Sequence, residues 1–73
     1  MDQTIHSEKL VVERKTFFFD LKQNERGQFL RITEDVRGRR DTIIVPVTGL
    51  GDFRAIIDRM MVTSGAPEPG NSI

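Results

Sequence analysis

The stretch TFFFDLKQNERGQFLRITE, residues 16–34, constrains the fold of this chain more than any other part of it. Apolar and polar residues alternate on both sides of NERG, which is the pattern of two strands that each bury one face. Gly27 tolerates the positive φ that a short hairpin connection requires. The stretch therefore predicts a β-hairpin with one apolar face. The opposite face would carry Phe18, Asp20 and Lys22 from the first strand and Phe29, Arg31 and Thr33 from the second.

Two further segments complete the predicted sheet. KLVVERK, residues 9–15, and TIIVPV, residues 42–47, are rich in aliphatic and β-branched side chains that favour strands. Pro46 cannot donate to a ladder, so it should lie at a sheet edge or near a strand end. The predicted connections are a bend at Lys15 and Thr16 and the loop DVRGRRD over residues 35–41.

After the fourth predicted strand, the spacing between apolar residues changes from two positions to three or four. Apolar side chains recur at helical spacing across GLGDFRAIIDRMM, residues 49–61, which predicts an amphipathic helix. Thr48 is a plausible N-cap, Asp52 suits the first turn, and Ser64-Gly65 marks the end. The order β-β-β-β-α predicts an α+β fold, a four-stranded antiparallel sheet followed by one helix.

The ends of the chain differ in composition from its middle. Residues 1–7 are polar, and residues 63–73, TSGAPEPGNSI, are dense in Pro, Gly, Ser and Asn. Such segments bury too little apolar surface to order themselves. We expect a flexible N-terminal tail over 1–7, one folded unit over 8–62, and a flexible C-terminal tail over 63–73.

A folded unit of this size needs support beyond its own core. With 73 residues the core is marginal, and with no cysteine there is no disulfide to reinforce it. A lone histidine, His6, argues against a zinc site, so we expect no metal and no cofactor. One helix covers only part of one face of a four-stranded sheet. These considerations predict an obligate homodimer.

Several classes of protein find no support in the sequence. No side chains pair a nucleophile with a base, so we expect no catalytic residues and no enzyme. The short G-x-G in TGLGDF is a weak phosphate-loop signal that a helix start explains better. The N-terminus is polar, and no apolar run approaches the ~20 residues that span a bilayer. We expect a soluble, cytoplasmic protein that does not contact a membrane.

Charge is distributed unevenly although it sums to zero. Residues 14–40 carry eight basic and four acidic side chains, whereas the whole chain has 11 of each. Cations beside Phe18 and Phe29 suit a single-stranded nucleic acid, whose bases stack and whose phosphates pair with Lys and Arg. Two alternatives remain open: the aromatic rings lie in an interface, and Asn24 caps its own turn rather than binding a base edge. RGRR, residues 37–40, is either a phosphate-contacting loop or a solvated turn.

KTFFFDLKQNERGQFLRITE followed by GRRDTIIVPVTGLGDFRAIIDRM resembles the PUR repeat. This is the repeat of the purine-rich-element-binding (Pur-alpha) proteins and their bacterial single-repeat relatives. The resemblance covers residues 9–61. It implies the same β-β-β-β-α order, with two copies exchanging helices to form an intertwined, Whirly-like domain. A chain with a single repeat would form that domain as a homodimer.

The resemblance also implies a function: binding of single-stranded, purine-rich DNA and RNA, in transcription or RNA regulation. It places the binding contacts on the K-x-N-x-R turn motif (Lys22, Asn24 and Arg26), on a basic residue at the end of the first strand (Lys15), and on the aromatic after the glycine that stacks against a base (Phe29). Arg31 is added because Gln28 replaces a basic residue usual in the family. The implied nucleic-acid-binding residues are Lys15, Lys22, Asn24, Arg26, Phe29 and Arg31.

Two further expectations follow from this assignment. The protein would act in the cytoplasm, with association with the nucleoid as a further option. The alternative function is a protein-interaction or structural dimer with no nucleic-acid role, in which Phe18 and Phe29 contact another protein. Salt distinguishes the two, because nucleic-acid binding weakens steeply as salt rises and a hydrophobic interface responds little.

Overall fold

The computed structural model describes residues 1–70 and confirms the predicted β-β-β-β-α order. The strands form one antiparallel sheet in the order of the sequence, so each strand pairs with the next along the chain. The predicted fold class is therefore correct. The elements are β1 (Gln3–Val12), β2 (Lys15–Asn24), β3 (Gly27–Val36), β4 (Arg39–Pro46), a 3₁₀ turn (Val47–Gly49) and α1 (Leu50–Ser64).

The central hairpin has the predicted form. β2 and β3 pair without a register shift from Thr16 opposite Asp35 to Asn24 opposite Gly27. Gly27 adopts a φ of 129°, which lies in the region that favours glycine. The turn between the strands thus consists of Glu25 and Arg26 alone.

The first connection differs from the prediction. Glu13 and Arg14 form the turn, whereas Lys15 begins β2 opposite Val12. Glu13 takes a φ of 56°, a left-handed conformation that costs a non-glycine residue about 1–2 kcal/mol. The predicted bend at Lys15 and Thr16 was wrong because no glycine marks the true position of the turn.

The third connection is also shorter than predicted. Only Arg37 and Gly38 lie outside the strands, with φ values of 56° and 84° that match a type I′ turn. Asp35 stabilises this turn: its Oδ1 accepts a hydrogen bond from the Gly38 backbone N–H at 2.9 Å, and its Oδ2 accepts one from Arg40 Nε at 2.9 Å. The predicted loop over residues 35–41 therefore belongs mostly to β3 and β4.

The ends of the folded part differ from the expected tails. Residues 3–7 were expected to be flexible, yet they belong to β1 and pair with β2, with a register shift at Ile5. A ladder partner orders these polar residues, which propensity alone does not predict. At the other end the helix runs to Ser64, so the folded unit extends two residues beyond its predicted boundary at residue 62. Of the expected C-terminal tail, residues 71–73 lie outside the described residues.

The N-cap of the helix lies one residue after the predicted cap, Thr48. Gly49 is the N-cap, with no side-chain capping bond, because Thr48 lies within the preceding 3₁₀ turn. Asp52 lies in the first helical turn, as predicted. The C-terminus also matches: Gly65 has a φ of 71°, and its N–H donates to the Met61 carbonyl at 2.9 Å. Pro46 is the last residue of the edge strand β4, as its missing N–H requires.

The described chain buries little apolar surface of its own. Val45 is the only apolar side chain buried within residues 1–70, at 4% exposure. The helix contacts mainly the 3₁₀ turn that precedes it rather than the body of the sheet. One side of the helix consequently presents large apolar side chains to solvent. These are Phe53, Ile56, Ile57 and Met60, which are 44–61% exposed.

Residues 1–70 contain neither a candidate membrane helix nor a candidate metal site. No helix there is long and apolar enough to cross a membrane. No group of three or more His, Asp or Glu side chains in that range is arranged to hold a metal ion.

Candidate nucleic-acid interface

Strand alternation and register divide the side chains of the sheet between two faces. One, here called the polar face, carries Asp20 and Lys22 from β2 and their cross-strand partners Arg31 and Phe29 from β3. The other, here called the apolar face, carries the remaining residues of the same strands. Its members on β2 and β3 include Phe17, Phe19, Leu21, Leu30 and Ile32.

One row across the polar face joins the turn motif to the expected stacking aromatic. Lys22 lies directly opposite Phe29, and Phe29 lies directly opposite Pro46 on β4. The Lys22 ammonium donates to Thr4 Oγ1 at 3.1 Å, which holds it over β1 and on the same face as the ring. Phe29 is half-buried, so one part of its ring remains accessible. A cation and an aromatic ring therefore lie side by side at this end of the sheet.

The turn itself is organised by Asn24. Its Oδ1 accepts a hydrogen bond from the Arg26 backbone N–H at 2.9 Å, the local bond that Asn commonly makes in turns. Its Nδ2 donates to Asp2 Oδ1 at 3.2 Å. This geometry agrees with the capping interpretation of Asn24. Arg26 is exposed at the tip of the turn.

The next row across the polar face is a charged network. Arg31 Nη2 donates to Asp20 Oδ2 at 3.2 Å, and Ser7 Oγ donates to Asp20 Oδ1 at 2.6 Å. The Arg31 side chain remains 42% exposed, and its Nε is buried without a hydrogen-bond partner. Asp20 binds only Nη2, so the exposed part of the Arg31 guanidinium keeps N–H donors that Asp20 does not use. Since a guanidinium has five N–H donors, it can bind Asp20 and an incoming phosphate together.

These neighbours favour the ionised form of the Asp20 carboxyl. The hydroxyl of Ser7, and then the guanidinium of Arg31, hold the pKa of the Asp20 carboxyl below its ordinary value, with a smaller contribution from Lys22. The negative charge of Asp20 in turn keeps Arg31 extended across the strands. The pair is partly exposed, so it contributes modestly to stability.

We expect Asp20→Asn to lower the free energy of unfolding at neutral pH, and this deficit to shrink in acid. The pKa of Asp20 is lower in the folded chain than in the unfolded one, where it takes its ordinary value of 3.8. The ionised carboxylate therefore stabilises the fold above that pH, and the contribution is lost as pH falls through the folded value. Urea midpoints at neutral and acidic pH, at one fixed protein concentration, measure the effect.

The matched control for this prediction is Asp41→Asn, which removes an exposed carboxylate from β4 on the apolar face. A deficit in Asp20→Asn that persists unchanged in acid would contradict the assigned role of its charge.

Lys15 lies apart from the other predicted residues. It starts β2 on the apolar face, at the end of the sheet away from the Glu25-Arg26 turn. Its ammonium binds Glu34 at 2.8 Å, and this hydrogen bond raises the pKa of Lys15. The structure thus brings together Lys22, Phe29 and Arg31, with the turn residues Asn24 and Arg26 beside them, and leaves Lys15 elsewhere.

A second aromatic and a cation lie further along the polar face. The Arg40 guanidinium carbon lies 5.3 Å from the centre of the Phe18 ring, within cation–π range. Arg40 also binds Asp35, and Thr33 beside them is buried and hydrogen-bonded to Thr42 at 3.2 Å. Sequence reasoning noted Phe18 but left Arg40 in a loop. Extending the alternation of TIIVPV back to residue 40 would have placed it on this face.

Comparison with known proteins gives the class to which this arrangement belongs. A four-stranded meander, a following helix and a turn with flanking cations are the features expected of a PUR repeat. The family model described as "PurA ssDNA and RNA-binding protein" matches residues 1–70. The chain belongs to the PurA family.

Individual relatives agree with the family match. The chain is 48% identical to "Transcription factor Pur-alpha 1" of Arabidopsis thaliana over 71% of its own length and 18% of that protein's. It is 37% identical to "Transcriptional activator protein Pur-alpha" of Homo sapiens over 90% of its length and 23% of that protein's. It is 33% identical to "Transcriptional regulator protein Pur-beta" of Mus musculus over 90% of its length and 25% of that protein's. The chain thus spans about a quarter or less of these relatives' lengths.

Proposed function

We propose that this protein binds single-stranded DNA or RNA with a preference for purine-rich sequences, and that it does so as a homodimer in the cytoplasm. The role would be in transcription or RNA regulation, as the names of its relatives suggest. The protein would act by binding and not as an enzyme. The contacts would come from the polar face and the turn beside it, through Lys22, Asn24, Arg26, Phe29 and Arg31.

One observation carries this proposal: Phe29 shares the polar face with Lys22 and Arg31 in a chain of the PurA family. An accessible ring supplies a stacking surface for a base, which is worth roughly 1–3 kcal/mol and tolerates any sequence. The cations beside it neutralise phosphates and release counterions. Lys15 is a weaker candidate, because its ammonium binds Glu34 on the other face of the sheet.

The homodimer is supported by the surface that one chain leaves uncovered. The helix extends away from its own sheet with its apolar side exposed, and the apolar face of the sheet is only half-buried. Burial of this surface is worth about 25 cal/mol per Å² removed from water. A second copy that places its helix on this sheet, and receives the first helix in return, would cover both surfaces. Sedimentation at micromolar concentration tests this; a stable folded monomer of about 8 kDa would contradict it.

Fluorescence polarisation tests the binding function. The protein is titrated into a labelled G-rich single strand, a pyrimidine single strand and a duplex, each at low and high salt. We expect binding to the G-rich strand that weakens steeply with salt. Absence of binding to any strand at low salt would contradict the proposal and favour a protein partner instead.

We expect Arg26→Ala to reduce the salt dependence of binding by about one unit in the slope of log K against log salt. The side chain is exposed at the turn, so its loss removes a phosphate contact without disturbing packing. Arg54→Ala, an exposed arginine on the helix, is the matched control for the loss of one positive charge. An unchanged slope in Arg26→Ala would remove this residue from the interface.

A further inference from the structure

Two apolar residues of β4 lie on the polar face and have no function so far. Ile44 is 61% exposed, and Pro46 at the end of the same strand is also exposed. An isolated exposed apolar side chain is ordinary, but these two are adjacent on one face because they are two positions apart on a strand. They form a small apolar strip, here called the β4 strip.

The register makes the β4 strip continuous with the interface described above. Pro46 lies directly opposite Phe29, and Ile44 lies directly opposite Arg31. Side chains that face each other on neighbouring antiparallel strands have Cβ atoms about 4.5–5.5 Å apart. The β4 strip therefore adjoins Phe29 at Pro46 and Arg31 at Ile44.

We propose that Ile44 and Pro46 form a second base-contacting subsite, which receives the nucleobase next to the one stacked on Phe29. A bound single strand would then cross the sheet from β2 through β3 to β4, instead of following the hairpin lengthwise. This inference rests on the proposed function and adds to it the path of the strand and a second contact surface.

The surroundings favour a nucleic acid as the occupant of the β4 strip. The neighbouring row contains the Arg31–Asp20 pair, and Lys22 lies in the same row as Phe29 and Pro46, on the β2 side of the ring. A base is apolar on its faces and is joined to anionic phosphates, so it matches an apolar strip bordered by cations. For a second copy of this chain, the apolar face of the sheet offers the neighbouring side chains of Phe17, Phe19 and Leu21 instead.

The first test follows the isoleucine methyl groups by NMR while an unlabelled G-rich single strand is added to the whole protein. A base stacked near Ile44 shifts its δ1 methyl signal by ring current. We expect a large shift for Ile44 and little for Ile43, its sequence neighbour on the apolar face. Phe29 ring signals report binding at the first subsite in the same sample.

The outcomes separate this inference from the proposed function. Shifts at Phe29 without a shift at Ile44 would leave the binding function intact and overturn the second subsite. Absence of any shift would overturn both. An Ile44 signal that responds to protein dilution but not to the strand would assign the β4 strip to contact between copies, which also overturns the inference.

A substitution provides the second test. Ile44→Thr keeps a β-branched residue in the strand and removes apolar surface, so we expect the affinity for the G-rich strand to fall roughly five-fold. The matched control is Val11→Thr, a similarly exposed aliphatic residue on the polar face of β1, at the far end of the sheet. Equal affinities for Ile44→Thr and wild type would overturn the inference, and the methyl shifts decide it if the variant fails to fold.

Discussion

Phe29→Ala is expected to weaken single-strand binding by about 1–3 kcal/mol, a roughly 5- to 150-fold loss of affinity, without dissociating the protein. The ring lies on the polar face between Lys22 and Pro46, away from the apolar face and the helix that would form the dimer. Its removal takes away a stacking surface while the cations remain. Fluorescence polarisation with the G-rich strand measures the loss, and sedimentation checks the assembly.

Two further variants test whether the loss of affinity comes from the aromatic ring of Phe29. Phe29→Leu keeps apolar volume but lacks an aromatic face, so its affinity should fall between those of the wild type and the alanine variant. Gln28→Ala changes the neighbouring residue, which points to the apolar face and binds Gln23, and should leave affinity unchanged. If Phe29→Ala unfolds the protein instead, Phe29 is a structural residue and stacking is not its role.

Ile57→Asp is expected to have the largest effect on stability: it should dissociate the proposed homodimer and unfold the released chains. Ile57 lies in the exposed apolar side of the helix, with Phe53 and Met60 on the same side. A carboxylate buried there without a partner carries a desolvation cost of several kcal/mol, so the dissociation constant should rise on the order of 100-fold or more. Sedimentation and circular dichroism over a range of concentrations measure the change.

The matched control for Ile57→Asp is Val62→Asp, on the opposite side of the same helix. Val62 is 85% exposed and lies about 180° around the helix from Phe53, so a helix packed through its apolar side leaves Val62 in water. Val62→Asp should therefore sediment and melt as the wild type does. An Ile57→Asp protein that remains a folded dimer, or one that is folded as a monomer, would contradict the proposed assembly.

Local chemistry made the centre of the sheet predictable. Alternation in β2 and β3 and the single glycine of the turn are sufficient to define the hairpin, its register and the residues that share a face. Gly65 fixed the helix end in the same way, because few other residues adopt its left-handed conformation readily. These features depend on residues close in sequence, which is where pattern and propensity are informative.

Elsewhere the structure differs from the sequence-based predictions. Some of these differences arise from tertiary contacts, and others occur where no nearby residue type indicates the conformation. Glu13 forms a turn in a conformation that sequence assigns to glycine, and residues 3–7 become a strand only because β2 offers a partner. Lys15 was grouped with the binding residues by family resemblance. Strand alternation would have placed it with Phe17 on the apolar face, since the two are separated by two positions.

The unbroken pairing of β2, β3 and β4 has a consequence for how such a protein can change over generations. Within these strands no register shift lets a side chain move from one face to the other. Substitutions on the polar face can therefore alter ligand preference while the surface proposed for assembly stays the same. The two properties can evolve separately, one residue at a time, in the 73 residues of this chain.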